Sequence, residues 1–381
     1  MIDHRVRLCD VTLRDGEQAA DAAFTVAEKV ALAGLLGELG VDQIQVGFGS
    51  GDGPEVVRRL RDNGSTPPLE LLCIGFGADW QEQIEAAADA GADVVQVLMR
   101  SSGELLSFLG LSRAETLRRV GDAVSLARAA GVHEVVFGTS FSTQADRAFL
   151  AELNECAVVS GADRISIADT IGVTSPATFA ELVAGTVAES AVPVGVHCHD
   201  DYGLAVACTL AGLEAGALWA DVSVLGIGER CGNTALEPTA LALAHLHGSP
   251  TSIDLSRLHQ ISSEVARVLK RDVPANHPGV GAHAFAQKLD LHVRVAAERP
   301  ELFEPYDPQT VGNARVIRLG KGSGPHAVIA RCHQLGLAVD GDRVDHVVQQ
   351  VNAYAEQFKS WTPDDELERI VDAASGRSSS S

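Results

Sequence analysis

The chain has 381 residues, of which 46% are hydrophobic but only 4% aromatic, and it carries a formal net charge of −21 at pH 7. That length suits one large domain with an accessory part, and the charge argues against nucleic acid or an anionic membrane surface as partner. Seven scattered cysteines without a Cys-x-x-Cys pair, no apolar run of membrane-spanning length and a start, MIDHRVRLCD, without signal-peptide features point to a reduced, cytoplasmic protein.

Taken in chain order, apolar β-rich runs predict strands over residues 6–13, 43–48, 69–74, 94–99, 134–137, 164–168, 192–196 and 220–224. The stretches between them, such as VAEKVALAGLLGELG and WQEQIEAAADAGA, space their apolar residues helically and end on Gly. Eight such units over residues 1–250 predict an α/β protein built as a (β/α)8 TIM barrel, with a doubly wound open sheet as the alternative. The pattern changes at Gly248-Ser249-Pro250. Residues 251–373 read as a mainly helical lid or dimerisation subdomain, with helices over 255–269 and through DRVDHVVQQVNAYAEQFKSW flanking the segment NHPGVGAHAFAQ. The Ser-rich residues 374–381 read as a disordered tail.

Residues 8–18, LCDVTLRDGEQ, end a buried-looking strand on a cluster of charge. Residues 196–203, VHCHDDYG, place His197 and His199 two apart at a strand end, so both imidazoles project to one side. Two solvated histidines are the plain alternative. In a barrel, however, all strand C-termini meet at one face. Asp15 after strand 1, the histidines after strand 7 and Asn233 in the turn GIGERCGNTALE after strand 8 then share one mouth. A carboxylate, two imidazoles and an amide oxygen suit Mg²⁺, Mn²⁺ or Zn²⁺ acting as a Lewis acid. Arg14 becomes a cation fixed in the same pocket, while Cys198 faces the other way and packs.

The segments DVTLRDGEQ, ADTIGVTSP, VHCHDDYGLAVA and GIGERCGNTALE, in this order, resemble the DRE-TIM metallolyases, nearest to the homocitrate, isopropylmalate and citramalate synthases. HPGVGAHAFAQKLDLHV, LFEPYDPQTVG and LGKGSG resemble the lid region of homocitrate synthases. The resemblance implies Asp15, His197, His199 and Asn233 as metal ligands, Arg14 as stabiliser of the oxyanion and Thr170 as holder of the acceptor's carboxylate. It implies that His292 assists enolisation of acetyl-CoA from a lid that reaches a neighbouring subunit, hence a homodimer. The implied reaction is a Claisen condensation of acetyl-CoA with a 2-oxo acid. Gln18 and Gln45 join the substrate-binding set. Asp169 joins the catalytic set, where it, Asp200 and Asp201 either orient the metal-bound histidines or cap the following helix. A hydroxyacyl-CoA lyase of the same fold and a non-catalytic binding paralogue are the alternatives.

The chain departs from the family pattern in several places. Strand 2 reads IQVGFGS, with Gln45 where the family has Glu; the family's FS-x-Glu aligns at Ser140; and of the lid motif only His292 survives, with Phe303 at the family's lid tyrosine. Loss of carboxylates from the pocket lowers repulsion toward a second anionic group on the acceptor. Arg100, at the end of strand 4, is placed to clamp such a group. The expected acceptors are therefore oxaloacetate-, 2-oxoglutarate- or phosphonopyruvate-like, ahead of pyruvate or 2-oxoisovalerate.

Overall fold

The computed structural model describes Ile2, residues 4–64 and residues 66–375. Eight parallel strands close into a barrel: β1 (Arg7–Asp10), β2 (Gln43–Phe48), β3 (Leu69–Ile74), β4 (Val94–Arg100), β5 (Glu134–Ser140), β6 (Arg164–Asp169), β7 (Val194–Cys198) and β8 (Trp219–Val222). Neighbours pair in sequence order and β1 closes the ring on β8, with Arg7 opposite Trp219 and Asp10 opposite Val222. The apolar strand residues are buried on both faces, as parallel strands covered by helices require.

The helices follow their expected signals. Val26–Leu39 begins at a reciprocal capping box between Thr25 and Glu28 and stops at Gly40, whose φ of 94° is open to glycine at little cost. Ser112, Asp146 and Ser175 cap later helices through their side-chain oxygens.

The first compact unit ends at Val273, beyond the change of composition at Pro250. The reason is the helix Leu258–Val268, which buries Leu258, Ile261 and Val265 and packs on Val26–Leu39. The second unit, from Pro274, has its own core. Val293, Leu319, Val328, Val347, Val351 and Leu367 pack among the helices Asp290–Glu298, Pro325–Gln334, Val344–Phe358 and Asp364–Ala374. Of the tail expected from residue 374, Ala374 ends the last helix and 376–381 lie outside the described residues. All seven cysteines are free. No helix among the described residues is long and apolar enough to cross a membrane.

Candidate metal centre and acceptor pocket

Strand β1 stops at Asp10 because that side chain accepts from the Thr12 N–H and hydroxyl, each at 3.0 Å, which turns the chain. The amides of Arg14, Asp15 and Gly16 then converge on the Val11 carbonyl at 3.2, 2.9 and 3.1 Å. This tight winding delivers Arg14 and Asp15 to the C-terminal mouth of the barrel, where both are buried.

His197 lies in β7 next to its last residue, Cys198, and His199 follows the strand; all three are buried. The chain there pairs with the loop after β8: Thr234 N–H donates to the Cys198 carbonyl at 3.1 Å, and His199 and Asn233 form a bridge pair. Gly228 allows the closure, since a Cβ at that position would lie 2.2 Å from Asn233 Nδ2 and 3.0 Å from Asp15 Oδ1.

The imidazoles face each other, with their Nε2 atoms 3.2 Å apart and 3.7 and 4.0 Å from Asp15 Oδ2. Each ring is fixed from behind through Nδ1, His197 by Asp221 Oδ2 at 3.0 Å and His199 by the Gly232 carbonyl at 3.2 Å. One ligand atom from each of Asp15, His197 and His199 lies within 4.8 Å of the others. Asn233 donates its Nδ2 to Asp15 Oδ1 at 2.9 Å and to the Ile227 carbonyl at 3.1 Å, which leaves its Oδ1 buried without a hydrogen-bond partner. Two imidazole nitrogens and a carboxylate within reach of one another, with an orphaned buried oxygen on the amide that bonds this carboxylate, fit a divalent cation.

The electrostatics agree with that donor set. Burial, followed by the nearby His197, holds the His199 pKa down at about 4, so its ring is neutral and able to ligate through the neutral range. Burial alone would raise the Asp15 carboxyl, but Arg14, the two histidines and Asn233 hold it well below the usual carboxylate range.

Arg14 bonds Asp15 Oδ2 at 2.7 Å and Gln18 Oε1 at 3.0 Å through Nη1, and Gln45 Oε1 through Nε. Arg14, Gln18, Arg100 and Thr170 line one cavity with the histidines and Asp15. Thr170 Oγ1 accepts from the Phe141 N–H at 2.7 Å, which leaves its own O–H to donate. Arg100 lies between the rings of Phe76 and Phe141, 4.5 and 5.4 Å from their centroids, and donates to Ser140 Oγ at 3.2 Å. Its Nε is buried without a partner. Phe141 holds a left-handed φ of 62°, a costly conformation for a bulky residue, and this both aims its ring at Arg100 and turns its N–H to Thr170.

Of the two roles open to Asp169, Asp200 and Asp201, only the helix cap at Asp200 is observed, and none of the three orients a histidine. Asp169 is buried, but its oxygens are taken by Thr143 Oγ1 at 2.8 Å and by the Val173 and Thr174 N–H groups at 3.3 and 3.1 Å. It pins the turn after β6. Asp200 caps the next helix at Ala205 N–H and Asp201 pairs with Arg230, so neither orients a histidine. That task falls to Asp221, a half-buried carboxylate inside β8 that the sequence reading passed over, although an acid within an apolar strand is itself a signal. Gln45 lies fully buried beneath Arg14, and a carboxylate remains close to it, on Glu70 of the adjacent strand. His292 sits in the second unit on the helix Asp290–Glu298, its ring 4.5 Å from that of Phe303.

Comparison with known proteins agrees with this geometry. Residues 5–265 match the HMGL-like family, and residues 280–359 match the homocitrate synthase post-HMGL domain-like family. A probable 2-isopropylmalate synthase of Methanopyrus kandleri is 38% identical over 358 residues, covering 93% of this chain and 71% of its own. Homocitrate synthase AksA of the same organism is 38% identical over 365 residues, covering 95% and 90%. The crystal structure of HMG-CoA lyase from Bacillus subtilis superposes with a TM-score of 0.64 at 20% identity, over 72% of this chain and 97% of that one, and so shares the fold. With a closed barrel, an Asp-His-His cluster at its mouth and relatives of this identity over nearly its whole length, the chain belongs to the HMGL-like family, on the branch of the homocitrate and 2-isopropylmalate synthases.

Proposed function

We propose that the protein catalyses a metal-dependent Claisen condensation of acetyl-CoA with a dianionic 2-oxo acid, giving a 2-hydroxy-2-carboxymethyl acid and free CoA. The observation that carries this reading is the Asp15–His197–His199 cluster with the orphaned Asn233 Oδ1, set in the same cavity as Arg14 and Arg100. The names of the relatives, 2-isopropylmalate synthase and homocitrate synthase, support a synthase.

A divalent cation held by Asp15, His197, His199 and Asn233 supplies Lewis-acid polarisation of the acceptor's 2-oxo group when bound. Arg14, held by Asp15, Gln18 and Gln45, presents its guanidinium where negative charge develops on that oxygen as the new C–C bond forms. Thr170 donates its hydroxyl to the acceptor's 1-carboxylate. A base takes one acetyl proton, and water afterwards splits the thioester, releasing CoA as a thiol. Acetyl C–H is a weak acid, so the group that assists enolisation must be closely oriented. The resemblance gives that role to His292, brought by the lid of a neighbouring subunit. His292→Ala then lowers kcat by about 10²–10⁴-fold, the range for a general acid–base group, while metal content is unchanged; equal kcat removes His292 from the mechanism.

The second anionic group of the acceptor goes to Arg100. Its half-buried guanidinium, with an unpartnered Nε, is a desolvated cation awaiting an acceptor. Arg100→Leu is expected to raise KM for 2-oxoglutarate, oxaloacetate or phosphonopyruvate by about 10–100-fold, as for one charged hydrogen bond, and to leave KM for pyruvate nearly unchanged. Equal effects on both classes would remove the clamp.

The deciding experiment incubates metal-loaded protein with acetyl-CoA and this panel of 2-oxo acids and follows free thiol. Thiol release with one dianionic acceptor supports the reading. Cleavage of a hydroxyacyl-CoA without condensation identifies a lyase instead, and acceptor binding without turnover identifies a binding protein.

A further inference from the structure

From Arg14 and Gln45 a chain of buried polar side chains runs on through the barrel, and its members beyond Gln45 have no task in the proposed mechanism. Arg14 Nε donates to Gln45 Oε1, and Gln45 Nε2 donates to Glu70 and, at 2.7 Å, to Gln96 Oε1. Glu70 also accepts from Gln43 Nε2, and Gln43 Oε1 accepts from Arg164 Nη2 at 3.0 Å. Gln43, Gln45, Glu70, Gln96 and Arg164 are each at most 5% exposed. Arg164 is itself held over the Trp219 ring at 3.7 Å, with Nη2 3.7 Å from Glu70.

A glutamine amide has two unlike ends, and its neighbours decide which way it points. Gln45 turns its oxygen to Arg14 because Glu70 accepts on its other side. From this we infer that Glu70 is a positioning residue, fixing the Gln45 amide so that Arg14 is held toward the acceptor. The inference rests on the assignment of Arg14 above and names a group that never touches substrate.

An ionised Glu70 matches its surroundings, since two amide NH₂ groups and Arg164 all donate toward it. A protonated Glu70 would present an O–H where donors already stand. Burial pushes its pKa up to about 7, with Asp221 and Glu134 adding to the rise and Arg164 and the Gln45 hydrogen bond opposing it. Cys9 and Cys73, the remaining titratable neighbours, stay thiols, their pKa values raised by burial and then by Glu70. The aligned state of Arg14 is therefore lost as pH falls through about 7.

The test compares the wild type, Glu70→Gln and the exchanged pair Gln45→Glu/Glu70→Gln. Thiol release gives kcat/KM from pH 6 to 8.5, and calorimetry gives the affinity for 2-oxoglutarate with Mg²⁺. An amide in place of the Glu70 carboxylate would turn an NH₂ group against that of Gln43 or Gln45. Glu70→Gln is therefore expected to lose about 10–100-fold in kcat/KM and in acceptor affinity, the range for groups that orient a site residue. It retains its metal and loses the pH step near 7. In the exchanged pair, the carboxylate now carried by β2 accepts from Arg14 directly and the amide now carried by β3 donates to it, so both readouts return to within a few fold of wild type. Wild-type kcat/KM and pH profile in Glu70→Gln overturn the inference, as does a folded but unrescued exchanged pair. Should Glu70→Gln not fold, the exchanged pair alone decides. The calorimetric arm separates the two levels: a wild type that releases no thiol sinks the synthase reading, whereas acceptor affinity still reports on Arg14.

Discussion

His199→Ala is expected to lose bound metal and thiol release together, with metal at background after gel filtration and turnover down about a thousandfold or more. The size follows from how the site is built. His197 Nε2 and His199 Nε2 are 3.2 Å apart, each ring is locked through its Nδ1, and the facing carboxylate is Asp15. Removing one ring leaves a carboxylate, one imidazole and an amide oxygen, a weak set for a borderline or hard cation. No nearby side chain replaces the nitrogen, because Asp200 and Asp201 are committed to Ala205 and Arg230. Elemental analysis of purified protein beside the thiol assay checks it. A variant that is metal-free yet active refutes the ligand assignment.

Arg14→Met should keep its metal and lose about 10²–10³-fold in kcat, the cost of deleting one donor aimed at a developing oxyanion. Arg14 is only 8% exposed, so its charge acts at low effective dielectric and water cannot take its place. Methionine keeps an unbranched stem of similar length but removes the guanidinium, whose central carbon lies 5.9 Å from the Phe48 ring centre. A drop in kcat with metal content and melting temperature near wild type locates the loss in chemistry. A parallel loss of metal would mean that Arg14 serves Asp15 alone.

The gathering of Asp15, His197 and His199 was readable in the sequence because they lie in short segments at strand ends, where barrel topology brings them together. Strands β2 and β3 match their apolar runs end to end. The misses have physical causes. Strand β5 continues to Ser140 through Gly138 and Thr139, which carry no apolar signal yet stay in register with Leu98, Met99 and Arg100 of β4. Strand β1 ends early because Asp10 captures Thr12, so Asp15 arrives from a turn. Nothing in the sequence pairs Phe76 and Phe141 with Arg100; the backbone geometry at Phe141 brings its ring to the guanidinium. The pairing of Gln45 with Glu70 spans two strands and becomes visible only once their register is known.

The ring's seam, where the first strand meets the eighth, also governs when the protein can hold an ion. Asp15 and the Nδ2 of Asn233 touch at 2.9 Å although 218 positions separate them along the chain. A nascent polypeptide therefore has no complete coordination sphere until its last barrel repeat has been made and zipped against its first. Under the proposed metal assignment, cation uptake marks completion of the circle, and a captured ion stabilises the closed form over any open one by mass action.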